Sequence, residues 1–327
     1  MRGAGPVTST ALLAVTLTLA AGCTTPPPDA RGNTDEGTSS SPSPSASLFT
    51  LSPLPQPDSG PPPGRLVADL RQSSRDAALG RFQVWVANGL DAPVRPSAIW
   101  YDDPRLRRPI GAQRLREIPA GSERGYPLAE PSRPRCLADV SGPSAAGAGT
   151  APGRVRVRFA GRTVRVPVED EADVVARFVA RRCLERAVAR VADLRFEDTV
   201  GVDQPGEGSI GTLVLVATPT GRAGGRLLVE TVSGTPLLTP YAAPVWRVGQ
   251  PVRSDGAVVR LELPVAPARC DGHAFMESGG ATAFKVRLRV RQPGSGGRSA
   301  GALVVRMSQA GASAAIGFAR DSCGLGG

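Results

Sequence analysis

The sequence is poor in the residues that most often carry chemistry or recognition. It holds one histidine, His273, and one lysine, Lys285, and aromatic residues make up only 4% of the chain. A single imidazole leaves a zinc site without its usual second nitrogen ligand. It also argues against a serine hydrolase. Gly297-Arg298-Ser299-Ala300-Gly301 fits G-x-S-x-G, but in that fold the triad histidine follows the serine, and His273 lies upstream. Trp85, Trp100 and Trp246 are not interleaved with basic residues, so they form no stacking platform for nucleic acid or glycan. Cys-x-x-Cys pairs are missing, which removes the usual basis for a four-cysteine zinc site. Long apolar runs are missing too: Ala11–Ala21 spans eleven residues and is interrupted by Thr16 and Thr18. A permanent membrane helix needs roughly 20.

That short run has the parts of a secretory signal. Arg2 and the amino terminus supply positive charge, and small residues precede Cys23. Leu19-Ala20-Ala21-Gly22-Cys23 resembles the bacterial lipoprotein signal family, whose pattern is Leu, a small residue, Gly or Ala, then Cys. Here Leu19 stands one position further back than usual, with Ala20 in its place. The resemblance implies a signal peptide over residues 1–22 and a diacylglyceryl thioether on Cys23. It places the mature chain, lipid-anchored, on the outer face of the cytoplasmic membrane. Residues 23–64 are dense in Pro, Ser, Thr and Gly and bury too little apolar surface to order, so they read as a disordered tether. Such a tether averages about 35 Å as coil and reaches roughly 130 Å as polyproline.

The formal net charge is +10, with 39 basic and 29 acidic residues. The arginines are scattered along the chain, and Arg105, Arg107 and Arg108 are among the densest groups. An exported protein lacks ordinary access to nucleic acid, so anionic lipid headgroups or wall polymers are the better match for this charge. With Cys23 set aside, Cys136, Cys183, Cys270 and Cys323 allow three pairings. Sequence spacings of 47 and 53 favour the neighbour pairs Cys136–Cys183 and Cys270–Cys323. Closing loops of that size contributes about 4 kcal/mol each in the chain-entropy model.

Short alternating segments dominate the remainder. Arg81–Asn88 places Phe82, Val84 and Val86 on one face, and Arg154–Phe159 and Thr163–Val168 flank a turn at Ala160-Gly161-Arg162. Glu169–Glu185 shifts to helical spacing. In the second half, strands are expected at Val188–Arg195, Thr212–Ala217, Arg226–Val232, Val258–Leu263, Lys285–Val290 and Ala302–Arg306, with residues 291–301 a loop and Ala310–Ala319 a helix. The halves also repeat. Tyr126-Pro127-Leu128-Ala129 leads to Cys136 as Leu263-Pro264-Val265-Ala266 leads to Cys270, and Arg154–Arg158 matches Lys285–Arg289. The order supports the same two disulfide pairings. The fold class is therefore mainly β: two tandem immunoglobulin-like β-sandwich domains, residues 65–186 and 187–327, each closing with a short helix after the tether. The segments Trp100–Leu106 and Ala268–Ala274 resemble those of an uncharacterised group of actinobacterial secreted proteins and lipoproteins with two related disulfide-bearing β domains. That resemblance carries no established function.

Candidate chemistry is sparse. Gly206–Gly211 fits G-x-G-x-x-G, but a strand follows where a dinucleotide site needs a helix. Tyr101, Asp102, Asp103 and Arg105 could hold a cation or partner, although Asp-Pro is also an ordinary turn initiator. Asp271, His273 and Glu277 are the nameable metal candidates, against a structural loop bonding its own backbone. The expectation is a non-enzymatic envelope-binding lipoprotein without cofactor. It would contact the membrane through its lipid and an envelope protein or wall polymer, not nucleic acid. The alternative is a small-molecule or metal-binding lipoprotein using the Asp271/His273/Glu277 region. On the lipobox reading, Cys23→Ala should move the protein from the detergent phase to the aqueous phase on phase partitioning, with loss of the lipid mass increment by mass spectrometry.

Overall fold

The computed structural model describes residues 60–112, 114–136, 140–141, 153–276, 280–292 and 298–325. The leader, Cys23, the tether up to residue 59, Glu277 and residues 293–297 lie outside the described residues. The chain is mainly β, with several sheets.

In the first half, β1 (Leu66–Arg71), β2 (Arg81–Asn88), β3 (Ala98–Asp102), β4 (Ile110–Gly111), β5 (Glu123–Ala129), β7 (Arg154–Phe159) and β8 (Arg162–Glu169) form one sheet in the order β4-β3-β7-β8-β1-β2-β5. Only the β1–β8 pairing is parallel. Period-two alternation dictates what is buried: Phe82, Val84 and Val86 are fully enclosed while Trp85 faces the other way. The sheet curls over its own inner face, so that Phe82 of β2 meets Tyr101 of β3 edge-on at 6.1 Å between ring centroids.

A short helix, α1 (Ser74–Ala78), connects β1 to β2. Ser73 and Asp76 form a capping box, with the Asp76 amide donating to Ser73 Oγ and the Ser73 amide donating to Asp76 Oδ2. The Asp76 carboxylate, 3% exposed, also accepts from Ser73 Oγ at 2.7 Å, Arg81 Nε at 2.8 Å and Gln83 Nε2 at 3.1 Å. Burial raises its pKa, but these donors outweigh burial and hold it at about 2.

The second half contains two five-stranded sheets. One joins β9 (Ala192–Phe196), β10 (Gly201–Val202), β11 (Gly211–Pro219), β13 (Leu238–Pro240) and β15 (Val259–Pro267). The other runs β14-β12-β16-β17-β6 and comprises β12 (Arg226–Ser233), β14 (Val245–Arg253), β16 (Ala283–Arg291), β17 (Arg298–Arg306) and β6 (Val140–Ser141) from the first half. Their inward residues share one sandwich-like core, in which Phe196 stacks on Phe284 at 4.6 Å and Trp246 packs on the same ring. Trp246 Nε1 donates to the Pro264 carbonyl at 2.7 Å, linking β14 to β15.

The long helix α2 (Val174–Val188) belongs to both halves. Val174, Val175, Phe178, Val179 and Cys183 enter the first core, whereas Leu184, Ala187 and Val188 enter the second. It starts later than the expected Glu169, because Glu169 is still in β8 and Asp170 instead caps the helix from outside. The Val174 amide donates to Asp170 Oδ1 at 2.6 Å and the Val175 amide to Oδ2 at 3.2 Å. The helix also continues to Val188, so the strand expected from that residue starts only at Ala192, and residue 187 lies inside the helix. Two further helices, α3 (Gly272–Met276) and α4 (Gln309–Ser322), follow. Disulfides join Cys136 to Cys183 on α2 and Cys270 to Cys323 at the end of α4. Among the described residues no helix is long and apolar enough to cross a membrane.

A carboxylate with a lowered folded pKa stabilises above its unfolded value and loses that contribution as pH falls through the folded one. Asp76→Asn should therefore cost about 2 kcal/mol at neutral pH, a gap that closes between pH of about 4 and 2. Urea melts of both proteins across that range check it.

Candidate anion-binding face

Asp103 is 2% exposed and its oxygens are occupied from within: Tyr101 Oη donates to Oδ2 at 2.7 Å, Arg105 Nη2 to Oδ2 at 2.8 Å and Arg105 Nε to Oδ1 at 2.9 Å. Burial pushes the Asp103 carboxyl up, but the bonds from Arg105 and Tyr101 prevail and hold it below its ordinary range. Burial and the adjacent carboxylate push the Tyr101 hydroxyl well up. The cluster thus locks β3 to the loop after it, while Asp102 is exposed.

Asp271 caps α3, accepting from the Ala274 amide at 3.1 Å, and forms a two-point ion pair with Arg269. His273 is exposed, and Glu277 lies outside the described residues. No group of three metal-ligating side chains occurs among the described residues. Gly206–Gly211 is a turn leading into β11, and Gly211 is required for packing, since a Cβ there would lie 2.8 Å from the Phe318 ring. Ser299, 7% exposed, sits inside β17 rather than on a strand-to-helix turn. Residues 298–301, expected as loop, are strand because Arg298–Gly301 pair with Leu288–Arg291 of β16.

What the structure brings together is charge. Along β16 the outward positions are Lys285, Arg287, Arg289 and Arg291. The register sets Arg253 opposite Arg226, Arg226 opposite Arg291, and Arg291 opposite Arg298. Four arginines thus form one row across four neighbouring strands, all exposed and spanning about 15 Å at the usual strand spacing. The sequence separations hide this row, which exists only once the strands are registered. Its visible trace is the alternation Lys285-Val286-Arg287-Leu288-Arg289-Val290-Arg291.

Acids neutralise part of this face. Glu230, beside the irregularity in β12, reaches Arg289 at 2.6 Å and Arg287 at 3.7 Å, and Asp255 pairs with Arg253 at 3.1 Å. Among the described residues, Arg226 and Arg291 have no carboxylate within ion-pair distance. Two residues inward along the strands, on the same face, the row changes character to Pro251, Leu228, Arg289 and Ala300. A cavity of about 430 Å³ lies there, with Leu228, Pro251 and Ala300 in its lining and Arg226, Arg289, Arg291 and Arg298 around it.

The first half has a smaller counterpart. Arg156 lies over the Trp100 ring at 5.4 Å and stands opposite Arg165. A separate polar cavity of about 400 Å³ is lined by Trp85, Gln83, Arg114, Arg116 and Arg124 among others.

No family model and no curated protein matches the sequence. Among solved structures, the chain has a likeness to the YadV chaperone, with 11% identity, a TM-score of 0.18, and coverage of 70% of this chain and 94% of that one. A red sea bream transglutaminase gives 11% identity and a TM-score of 0.19 over 75% of this chain and 32% of that one. CBD12 from CALX1.2 gives 10% identity and a TM-score of 0.17 over 66% and 76%. Scores of this size carry no argument about function.

Like charges directly opposite in a sheet destabilise it, each opposite pair by a few tenths to about 1 kcal/mol. Arg291→Glu, facing Arg226 and Arg298, should raise stability by about 1 kcal/mol at low salt. The gain should shrink as ionic strength rises. Thermal melts at two salt concentrations measure both effects.

Proposed function

We propose that the chain is a lipid-anchored extracytoplasmic lipoprotein whose two tandem immunoglobulin-like sandwich modules, residues 65–186 and 187–327, bind an anionic component of the cell envelope and catalyse no reaction. The observation that carries this reading is the register that sets Arg226 directly opposite Arg291 on the exposed face of the sheet. A folded sheet gains nothing from opposing guanidinium groups, whereas a phosphate- or carboxylate-bearing ligand converts the repulsion into paired, charge-assisted hydrogen bonds. The lipobox-like Leu19–Cys23 and the Pro/Ser-rich residues 23–64 support an anchored position close to such ligands. Shared features of the two halves, including a Cys-to-helix disulfide in each, support the tandem reading. The partner is an anionic wall polymer or lipid surface, and an acidic envelope protein is the second candidate. The low aromatic content supports exclusion of nucleic acid as the natural partner.

The test uses the mature chain with polyphosphate as probe polyanion. Arg226→Glu combined with Arg291→Glu should weaken binding at least tenfold at low salt. The same charge change at exposed Arg107 and Arg108, the densest arginine run, should have much less effect. Equal losses from both pairs would reduce the interaction to bulk charge and sink the proposal. Single-stranded DNA should bind no better than polyphosphate of equal charge.

A further inference from the structure

The arginine row and the cavity beside it are two halves of one surface, and neither charge nor hydrocarbon alone satisfies both. We infer that this surface takes an amphipathic anion: a lipid-type molecule whose phosphate head lies on Arg226 and Arg291 and whose alkyl chain lies in the cavity lined by Leu228, Pro251 and Ala300. The inference rests on the anion-binding reading above and names the ligand class for that same face.

Three observations carry it. The cavity, about 430 Å³, falls within the roughly 300–1,000 Å³ of ordinary ligand sites, and it sets Leu228, Pro251 and Ala300 among arginines. Arg289 lines it without offering a free charge, because Glu230 holds its guanidinium at 2.6 Å; the aliphatic stem of Arg289 then serves as wall. Two residues outward on the same face, Arg291 has no carboxylate within ion-pair distance among the described residues, and Arg226 acts on Asp255 only beyond that distance. A small hydrophilic anion would leave Leu228 and Ala300 wet, and a neutral hydrocarbon would strip water from the guanidinium groups without replacing it. An amphiphile aligned along the strands, with its head at the row and its chain two residues inward on the same face, meets both demands.

The test measures binding of butyl, octyl and decyl phosphate, each below its aggregation concentration, to the mature full chain carrying Cys23→Ala. Affinity should rise roughly tenfold from octyl to decyl phosphate, the increment expected for burying two methylenes. Decanol should bind at least tenfold more weakly than decyl phosphate. Ala300→Phe, which fills the cavity from its floor, should flatten the chain-length dependence and leave polyphosphate binding unchanged. Pro251→Phe fills it from the neighbouring strand and should give the same pattern, so the result does not hang on the folding of one variant. Arg226→Glu with Arg291→Glu should abolish both activities. Equal affinity for all three alkyl phosphates, with polyphosphate binding intact, would overturn the lipid inference and leave the anion-binding reading standing. Decanol binding as tightly as decyl phosphate would overturn it as well. Failure to bind polyphosphate or any alkyl phosphate would overturn both.

Discussion

The two hydrophobic cores depend on one helix. α2 places Phe178 against Phe82 at 6.3 Å between ring centroids, and two turns later it packs Leu184 against β17. That second approach is close: a Cβ at Gly301 would lie 2.9 Å from Leu184 Cδ2, so a side chain there would make Leu184 shift. The helix is anchored at its start by Asp170, which satisfies two otherwise orphaned amides, and in its middle by the Cys136–Cys183 disulfide. The pairing of β6 with β17 adds a second link, since two residues from the first half extend a sheet of the second. Burial shared this way couples the cores energetically, because loosening α2 exposes apolar surface in both.

The outer face of the β14-β12-β16-β17-β6 sheet shows the opposite priority. Its inner face is optimised for packing, with Leu227, Val229, Val286 and Leu288 enclosed. Its outer face aligns arginines whose repulsion opposes folding. Glu230 and Asp255 relieve that repulsion at Arg287, Arg289 and Arg253, and Asp255 acts at longer range on Arg226, but neither forms an ion pair with Arg291. The buried ionic groups of the first half behave differently. Asp103 and Asp76 sit among dedicated donors, and their charges are fully used inside the fold. Among the described residues, Asp76 and Asp103 are therefore enclosed and saturated by donors, whereas Arg291 on the outer face has no carboxylate within ion-pair distance.

Much of the strand pattern was legible because period-two alternation is a local signal. β2, β7 and β16 are readable from a few consecutive residues, as are the burial of Phe82 and Val157 and the outward set of β16. The helix near residue 178 was readable from its spacing, but its ends were not. Asp170 sets the start from outside the helix, and packing against a second core carries the end to Val188. β14 escaped a local reading because Gly249 and Pro251 interrupt its alternation; Gly249 takes a φ of 61° and Pro251 sits on an edge strand. The arginine row was illegible for a different reason. Arg226, Arg253, Arg291 and Arg298 become neighbours only through three strand registers, and a register is a property of the pairing and not of any one segment. The same limit applies to Asp103, whose burial no dipeptide rule for Asp-Pro reveals.

The position of β1 in the first sheet has a mechanical consequence. The chain enters the fold through a strand flanked on both sides, by β2 through six residue pairs and by β8 through two. Tension transmitted along the residues before Leu66 cannot peel an edge strand one hydrogen bond at a time. Leu66 and Val67 are held by β2 alone, and at Ala68 and Asp69 the pull meets a parallel and an antiparallel ladder together, where resistance to rupture is shared.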